Sequence, residues 1–232
     1  MEGGSDYVII GASYDGGTDL MAPPSVTSLS QLAGKTVGIM NPSFHTEALL
    51  NKTLKTAGLA TESAGGTVKI EMGTPGVVMN DLIAKKLSAA TVWGKYMADA
   101  KSKFGFKTLV KWQDMGYGSK VPSIFLVVRK DIIQNHPDIV QAVVQANYDA
   151  TKQAVNVGDY QGPNDSVYGA YWLKSYGVKP NIVSPPRPLI DAQANSAYLH
   201  EVIDYMTQCG YFKTPYTYSD LVNETFYNKV KK

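Results

Sequence analysis

The feature that most constrains the fold is an alternation that runs three times between residues 35 and 112: a short β-rich apolar run, a polar loop, then a helical stretch. Residues 35–40 (KTVGIM) read as a strand, and 45–57 as a helix with Leu49, Leu50 and Leu54 near one face, stopped at Gly58. Residues 68–72 (VKIEM) and 77–87 repeat the pair, as do 89–93 (AATVW) and 96–104, and 107–112 (KTLVKW) is a fourth strand. Strands alternating with helices of about a dozen residues predict a parallel sheet with covering helices. Right-handed crossovers then bring the loops 41–46, 73–76, 93–96 and 113–118 to one sheet edge, where open α/β sheets bind ligands.

The flanks read differently. Residues 7–13 (YVIIGAS) form a buried strand closed by Asp15-Gly16-Gly17, and Leu20-Met21-Ala22 is a short extended piece ahead of Pro23-Pro24. Ser28 caps a one-turn helix. Residues 122–130 (PSIFLVVRK) carry the longest strand signal in the chain. After them the pattern is helical at 138–156, 165–176, 192–209 and 218–230, with a Pro-rich loop at 180–188. The chain is expected to hold one complete Rossmann-like α/β lobe (29–118) and a partial lobe assembled from 1–28 and 119–232, with crossings near 23–29 and 113–123.

Composition excludes several classes. With 232 residues, 44% hydrophobic and 18% charged, the chain has the make-up of a soluble globular protein. A net charge of +2 is too small to argue for nucleic acid or a membrane surface. No apolar run approaches the roughly 20 residues of a membrane helix. The N-terminal residues lack the basic and apolar segments of a signal peptide, so the chain is either cytosolic or has lost a leader. A lone cysteine, Cys209, makes no intramolecular disulfide or Cys-rich metal site and reads as a small buried hydrophobe. His45, His136 and His200 show no metal-ligand spacing, so no metal is expected. There is no G-x-S-x-G and no phosphate-binding loop, so neither a catalytic set nor a cofactor is expected.

The order of these pieces resembles a known family. Ser28-Leu29-Ser30-Gln31-Leu32-Ala33-Gly34-Lys35-Thr36-Val37-Gly38 is similar to the start of the second lobe in type II periplasmic solute-binding proteins, above all the nitrate/sulfonate/taurine/pyrimidine-precursor branch of ABC-transporter receptors. Ala89-Ala90-Thr91-Val92-Trp93-Gly94-Lys95-Tyr96 resembles that family's D-A-x-x-x-W-x-P-Y segment, with Ser88 or Ala89 where an acidic residue is usual and Lys95 where proline is usual. Pro122-Ser123-Ile124-Phe125-Leu126-Val127-Val128 resembles the strand returning to the first lobe, and Asn135-His136-Pro137-Asp138-Ile139-Val140 the start of the helix after it.

The resemblance implies a non-enzymatic receptor. It would capture a small anionic or heterocyclic solute between its lobes and deliver it to ABC-transporter membrane subunits, in the periplasm if a leader has been removed. It also implies that the half-lobe ahead of residue 7 is missing, which leaves a short sheet that would join a second copy or a separate chain. Two rivals stand beside this reading: a truncated or repurposed module that only self-associates, and an enzyme like the pyrimidine-precursor synthases. The second rival is weakened because that branch carries a Cys-rich motif.

The candidate ligand contacts sit in the loops of the predicted edge. Ser43, Phe44, His45 and Thr46 open a helix, where free N–H groups and the helix dipole suit an anion and the hydroxyls add donors; capping alone also explains Ser43. Thr74 opens the next helix, again at a position that capping explains. Trp93, Lys95 and Tyr96 combine an aromatic wall with a cation, and a core tryptophan with a solvated lysine is the plainer alternative. Ser13 and Tyr14 lie at the expected crossing between lobes, where a hinge turn without ligand is the alternative.

Overall fold

The computed structural model describes residues 6–15, 18–41, 43–116, 122–156, 187–188, 196–212 and 214–230. They fall into two compact units, one from residues 17–119 and one from both chain ends. The fold is mixed α/β, as the alternation of strand and helix predicts.

In the first unit the apolar runs become strands: β2 (Asp19–Ala22), β3 (Thr36–Met40), β4 (Lys69–Gly73), β5 (Ala89–Val92) and β6 (Lys107–Val110). Their order is β4-β3-β5-β2-β6. Parallel pairing sets Met40 beside Gly73 and Ile39 beside Thr91. The sheet departs from the expected all-parallel form at β2, which pairs antiparallel with both β5 and β6. Residues 19–22 therefore belong to this unit, ahead of the expected boundary at residue 29, and the crossing expected at 23–29 lies inside it. Antiparallel insertion lets a strand of only four residues fill the gap between β5 and β6.

Period-two alternation sorts the side chains. Met21, Met40, Ala90 and Val92 face one core, joined by Val78, Met79, Leu82 and Leu87 of α2 (Pro75–Ile83) and its exit, and by Met97 and Ala100 of α3 (Gly94–Phe104). Gly38 permits this approach, because a Cβ there would come within 2.6 Å of Leu87 Cδ1 and 2.8 Å of Val78 Cγ1. Leu20, Val37, Ile39 and Thr91 point to the opposite face and are fully buried, as are Leu50 and Leu54 of α1 (Phe44–Lys55). A polar network ties α1 to the segment before β4. Buried Glu47 accepts a short hydrogen bond from the Ser63 hydroxyl, and Asn51 Oδ1 accepts the Thr61 N–H at 3.0 Å.

The second unit has a three-stranded sheet, β7-β1-β8, from β1 (Tyr7–Asp15), β7 (Pro122–Arg129) and β8 (Arg187–Pro188). β1 runs antiparallel to both neighbours. Val8 and Ile10 pack against Val140, Val144 and Tyr148 of α5 (Pro137–Asn156), and Phe226 and Val230 complete that core. A short helix unforeseen in the sequence, α4 (Lys130–Asn135), joins β7 to α5. The helix predicted at 192–209 appears as α6 (Ser196–Gln208) within the described residues. The helix predicted at 165–176 lies outside them, as does the loop at 180–188 apart from β8.

The predicted last helix at 218–230 is a correction. Helix α7 (Tyr218–Leu221) lasts one turn, Val222 bridges Ile9, and the Asn223 N–H donates to the Ile9 carbonyl at 2.8 Å. The chain leaves the helix because β1 offers an unpaired edge there, and satisfying strand backbone outweighs helix propensity.

Candidate functional site

Three strand exits of the five-stranded sheet lead directly into helices. β3 ends at Met40 and α1 starts at Phe44; β4 ends at Gly73 and α2 starts at Pro75; β5 ends at Val92 and α3 starts at Gly94. Because β3, β4 and β5 are mutually parallel, all three helix N-termini lie along the same sheet edge. Each brings first-turn N–H groups with no helical partner, and the three dipoles present positive ends there. Asn41 adopts a left-handed conformation (φ 64°), and its N–H donates to the Gly73 carbonyl at 2.7 Å. That bond clamps the first two exits together.

Ser43 occupies the N-cap of α1 in extended geometry and makes no capping hydrogen bond through its side chain. Its hydroxyl instead meets His45 Nδ1 at 2.6 Å and Thr46 Oγ1 at 2.9 Å. Three donor-capable groups thus gather at the mouth of one helix. Burial lowers the His45 pKa to about 4 although the residue is only partly buried by accessible surface, so the imidazole is neutral at pH 7. Phe44, at the first helical position, is exposed.

Thr74 caps α2 through its backbone carbonyl, which accepts the Val78 N–H at 3.0 Å, and its side chain makes no cap bond. Routine capping therefore does not account for either hydroxyl, that of Ser43 or that of Thr74. Trp93 stands at the N-cap of α3, 39% exposed, with its ring edge-on to Tyr96 at 6.0 Å. It is outside the strand that the sequence pattern assigned to it. Lys95 falls in the first turn of α3, and its side chain lies outside the described residues. Ser13 and Tyr14 lie on β1 in the other unit, and their side chains lie outside the described residues.

The sequence reading missed Asp19. This carboxylate is 4% exposed and sits opposite Val92 at the same sheet edge. Oδ1 accepts the Trp112 N–H at 3.1 Å, Oδ2 accepts from Thr108 Oγ1 at 3.1 Å, and Lys101 Nζ lies 3.6 Å away. Asp19 therefore anchors the exit of β6, where Trp112 begins a 3-10 turn (Trp112–Asp114) and not the end of a strand. The available signal was an acidic residue directly before a three-residue apolar run, a position where a charge is buried only if several donors meet it.

No curated protein sequence matches this chain. Among solved structures, it is similar to the alkanesulfonate-binding protein of Xanthomonas axonopodis pv. citri bound to MOPS, with a TM-score of 0.71, 16% identity, and coverage of 96% of this chain and 75% of that one. It is also similar to the periplasmic sulfonate-binding protein of a sulfonate ABC transporter from Methylobacillus flagellatus KT, with a TM-score of 0.68, 17% identity, and coverage of 96% and 68%. The desulfurization enzyme DSZB shares the fold as well, with a TM-score of 0.62, 15% identity, and coverage of 96% and 78%. At these identities the likeness is one of fold, the periplasmic-binding-protein fold of type II. The sequence pattern of the NMT1/THI5-like family matches residues 17–159, more than half of the chain, including every strand and helix of the rim, and the chain belongs to that family.

Proposed function

We propose that the chain is the solute-binding component of an ABC importer and captures a small anionic solute, of the sulfonate or nitrate kind, or a flat heterocycle. The observation that carries this reading is the convergence of three helix N-termini on one sheet edge, two with hydroxyls not used in capping. The N–H groups and the Ser43–Thr46 hydroxyls suit anionic oxygens, and the Trp93–Tyr96 pair suits an organic body. Solved structures of the same fold that are described as sulfonate-binding support the choice of solute class. On this reading the protein works outside the cytoplasm and hands its solute to membrane subunits.

The reading is one of binding without turnover. The nearest thing to a nucleophile–base pair on the rim is Ser43 with His45. A base with a pKa of about 4 takes up a proton poorly at neutral pH, so Ser43 serves as a hydrogen-bond donor.

A thermal-shift panel of alkanesulfonates, taurine, nitrate and pyrimidines tests this. A ligand at about 100 times its dissociation constant stabilises by about 2.7 kcal/mol. Ser43→Ala and Thr74→Ala should abolish the shift for the same compound. No shift across the panel, or a shift indifferent to both substitutions, would overturn the proposal.

A further inference from the structure

Ser43 sits at the centre of a chain of three polar side chains. Its hydroxyl lies 2.6 Å from His45 Nδ1 and 2.9 Å from Thr46 Oγ1. Thr46 is buried, and Ser43 and His45 are half-buried. A hydrogen bond needs one proton between its two heavy atoms, so these two contacts use two protons. Ser43 and Thr46 bring one hydroxyl proton each. Burial holds the His45 pKa at about 4, so at pH 7 the ring is neutral and carries a single proton, on Nδ1 or on Nε2.

The position of the ring proton decides what this chain of groups can offer a solute. With the proton on Nε2, Nδ1 is an acceptor. Ser43 must then donate to Nδ1 and Thr46 must donate to Ser43, so both hydroxyl protons are used internally. With the proton on Nδ1, the ring donates to Ser43 instead. Three protons then serve two contacts, and one hydroxyl proton is left over. The helix does not take it up, since the Ser43 side chain makes no capping bond. An anionic oxygen at the start of α1 accepts such a proton and supplies none. The two tautomers therefore differ in affinity for an anion by one charge-assisted hydrogen bond, and an anion selects the one that it binds better.

We infer, resting on the reading of the rim as an anion site, that a bound anion holds His45 in its Nδ1–H tautomer. The ring then donates to Ser43, and the left-over hydroxyl proton goes to the solute. His45 is thus a positioning residue, which acts on the solute through Ser43. Its donation also polarises the Ser43 hydroxyl and strengthens the bond that this hydroxyl makes in turn. His45 lies in the first turn of α1, where the positive end of the helix dipole favours an uncharged ring that still donates. Nothing here requires a change in net charge, because the ring stays neutral in both tautomers.

Long-range 1H–15N correlation spectra of the full chain at pH 7 test the inference, because they separate a ring nitrogen that carries a proton from one that does not. The His45 signals are those lost in His45→Asn. With saturating ethanesulfonate, the wild-type chain should carry the His45 proton on Nδ1. Titration calorimetry with the same probe gives a second readout. His45→Asn sets an amide donor where Nδ1 was, and His45→Gln sets one where Nε2 was; both are neutral. Asn should bind within about threefold of wild type and Gln at least about tenfold more weakly, the cost of losing a hydrogen bond to a charged group. A role confined to packing would not separate the two. Ethanesulfonate bound with the proton on Nε2, or Gln binding as well as Asn, overturns the inference and leaves the anion site standing. Failure of both ethanesulfonate and nitrate to bind the wild-type chain overturns the inference together with the reading beneath it.

Discussion

The two sheets of this molecule contain similar residues in dissimilar surroundings. β2 and β5 of the five-stranded sheet are buried along their whole length. β7, drawn from the longest apolar run in the chain, leaves Ile124 and Val127 half exposed. Apolarity states how much a strand can bury, but neighbouring strands and covering helices decide how much it does bury. The interior strands have a partner on each side and side chains packed on both faces. Among the described residues the end strand has one partner.

Unequal layering should appear as unequal costs of truncation. Leu50→Ala, at a fully buried position of α1, should destabilise by about 3–4 kcal/mol, whereas Val127→Ala should cost under about 1 kcal/mol. Urea unfolding followed by circular dichroism measures both, and equal costs would break the comparison. Asp19→Ala comes next, at about 2–3 kcal/mol, because it strips partners from the buried Trp112 N–H and the Thr108 hydroxyl. The Lys101 ion pair adds little to that, since its ammonium is well exposed. Asp19→Asn should recover part of the loss; a full loss in both variants would assign the effect to charge alone.

A smaller effect follows pH. His45 has a pKa near 4 in the folded chain against 6.5 unfolded, so the unfolded chain takes up the proton first. Stability should fall as pH drops from about 6.5 to about 4 and level off below, by about 2 kcal/mol for a partly accessible ring. The difference between wild type and His45→Gln across that window isolates the histidine from the carboxylates. The smallest expected change is Thr74→Ala, under about 0.5 kcal/mol, because that hydroxyl makes no capping bond. A loss typical of an N-cap, near 1 kcal/mol, would show that Thr74 is spent on the helix and leave its ligand role without support.

The strand–loop–helix rhythm made most of the rim legible. Gly58 marked the end of α1 closely, and Pro75 marked the start of α2. Both work through local backbone preferences, which sequence carries directly. The misses share the opposite character. Trp112 extended a strand-like run, yet it turns because its N–H is drawn to a carboxylate 93 positions away. Asp19 belonged to no sequence motif, and its donors come from β6, α3 and the turn at Trp112. Residues 222–230 looked helical until the open edge of β1 claimed Val222 and Asn223.

Sequence alone located most strands and helices of the five-stranded sheet, and determined that three helices begin just after three parallel strands. Those features follow from turn residues and hydrophobic period, properties of neighbours in the chain. Tertiary structure decided that β2 enters the sheet in reverse, that Asp19 is buried among donors, and that β7 pairs on one side only among the described residues. Each of these depends on hydrogen-bonding groups far apart in sequence finding one another, and no local pattern encodes that meeting.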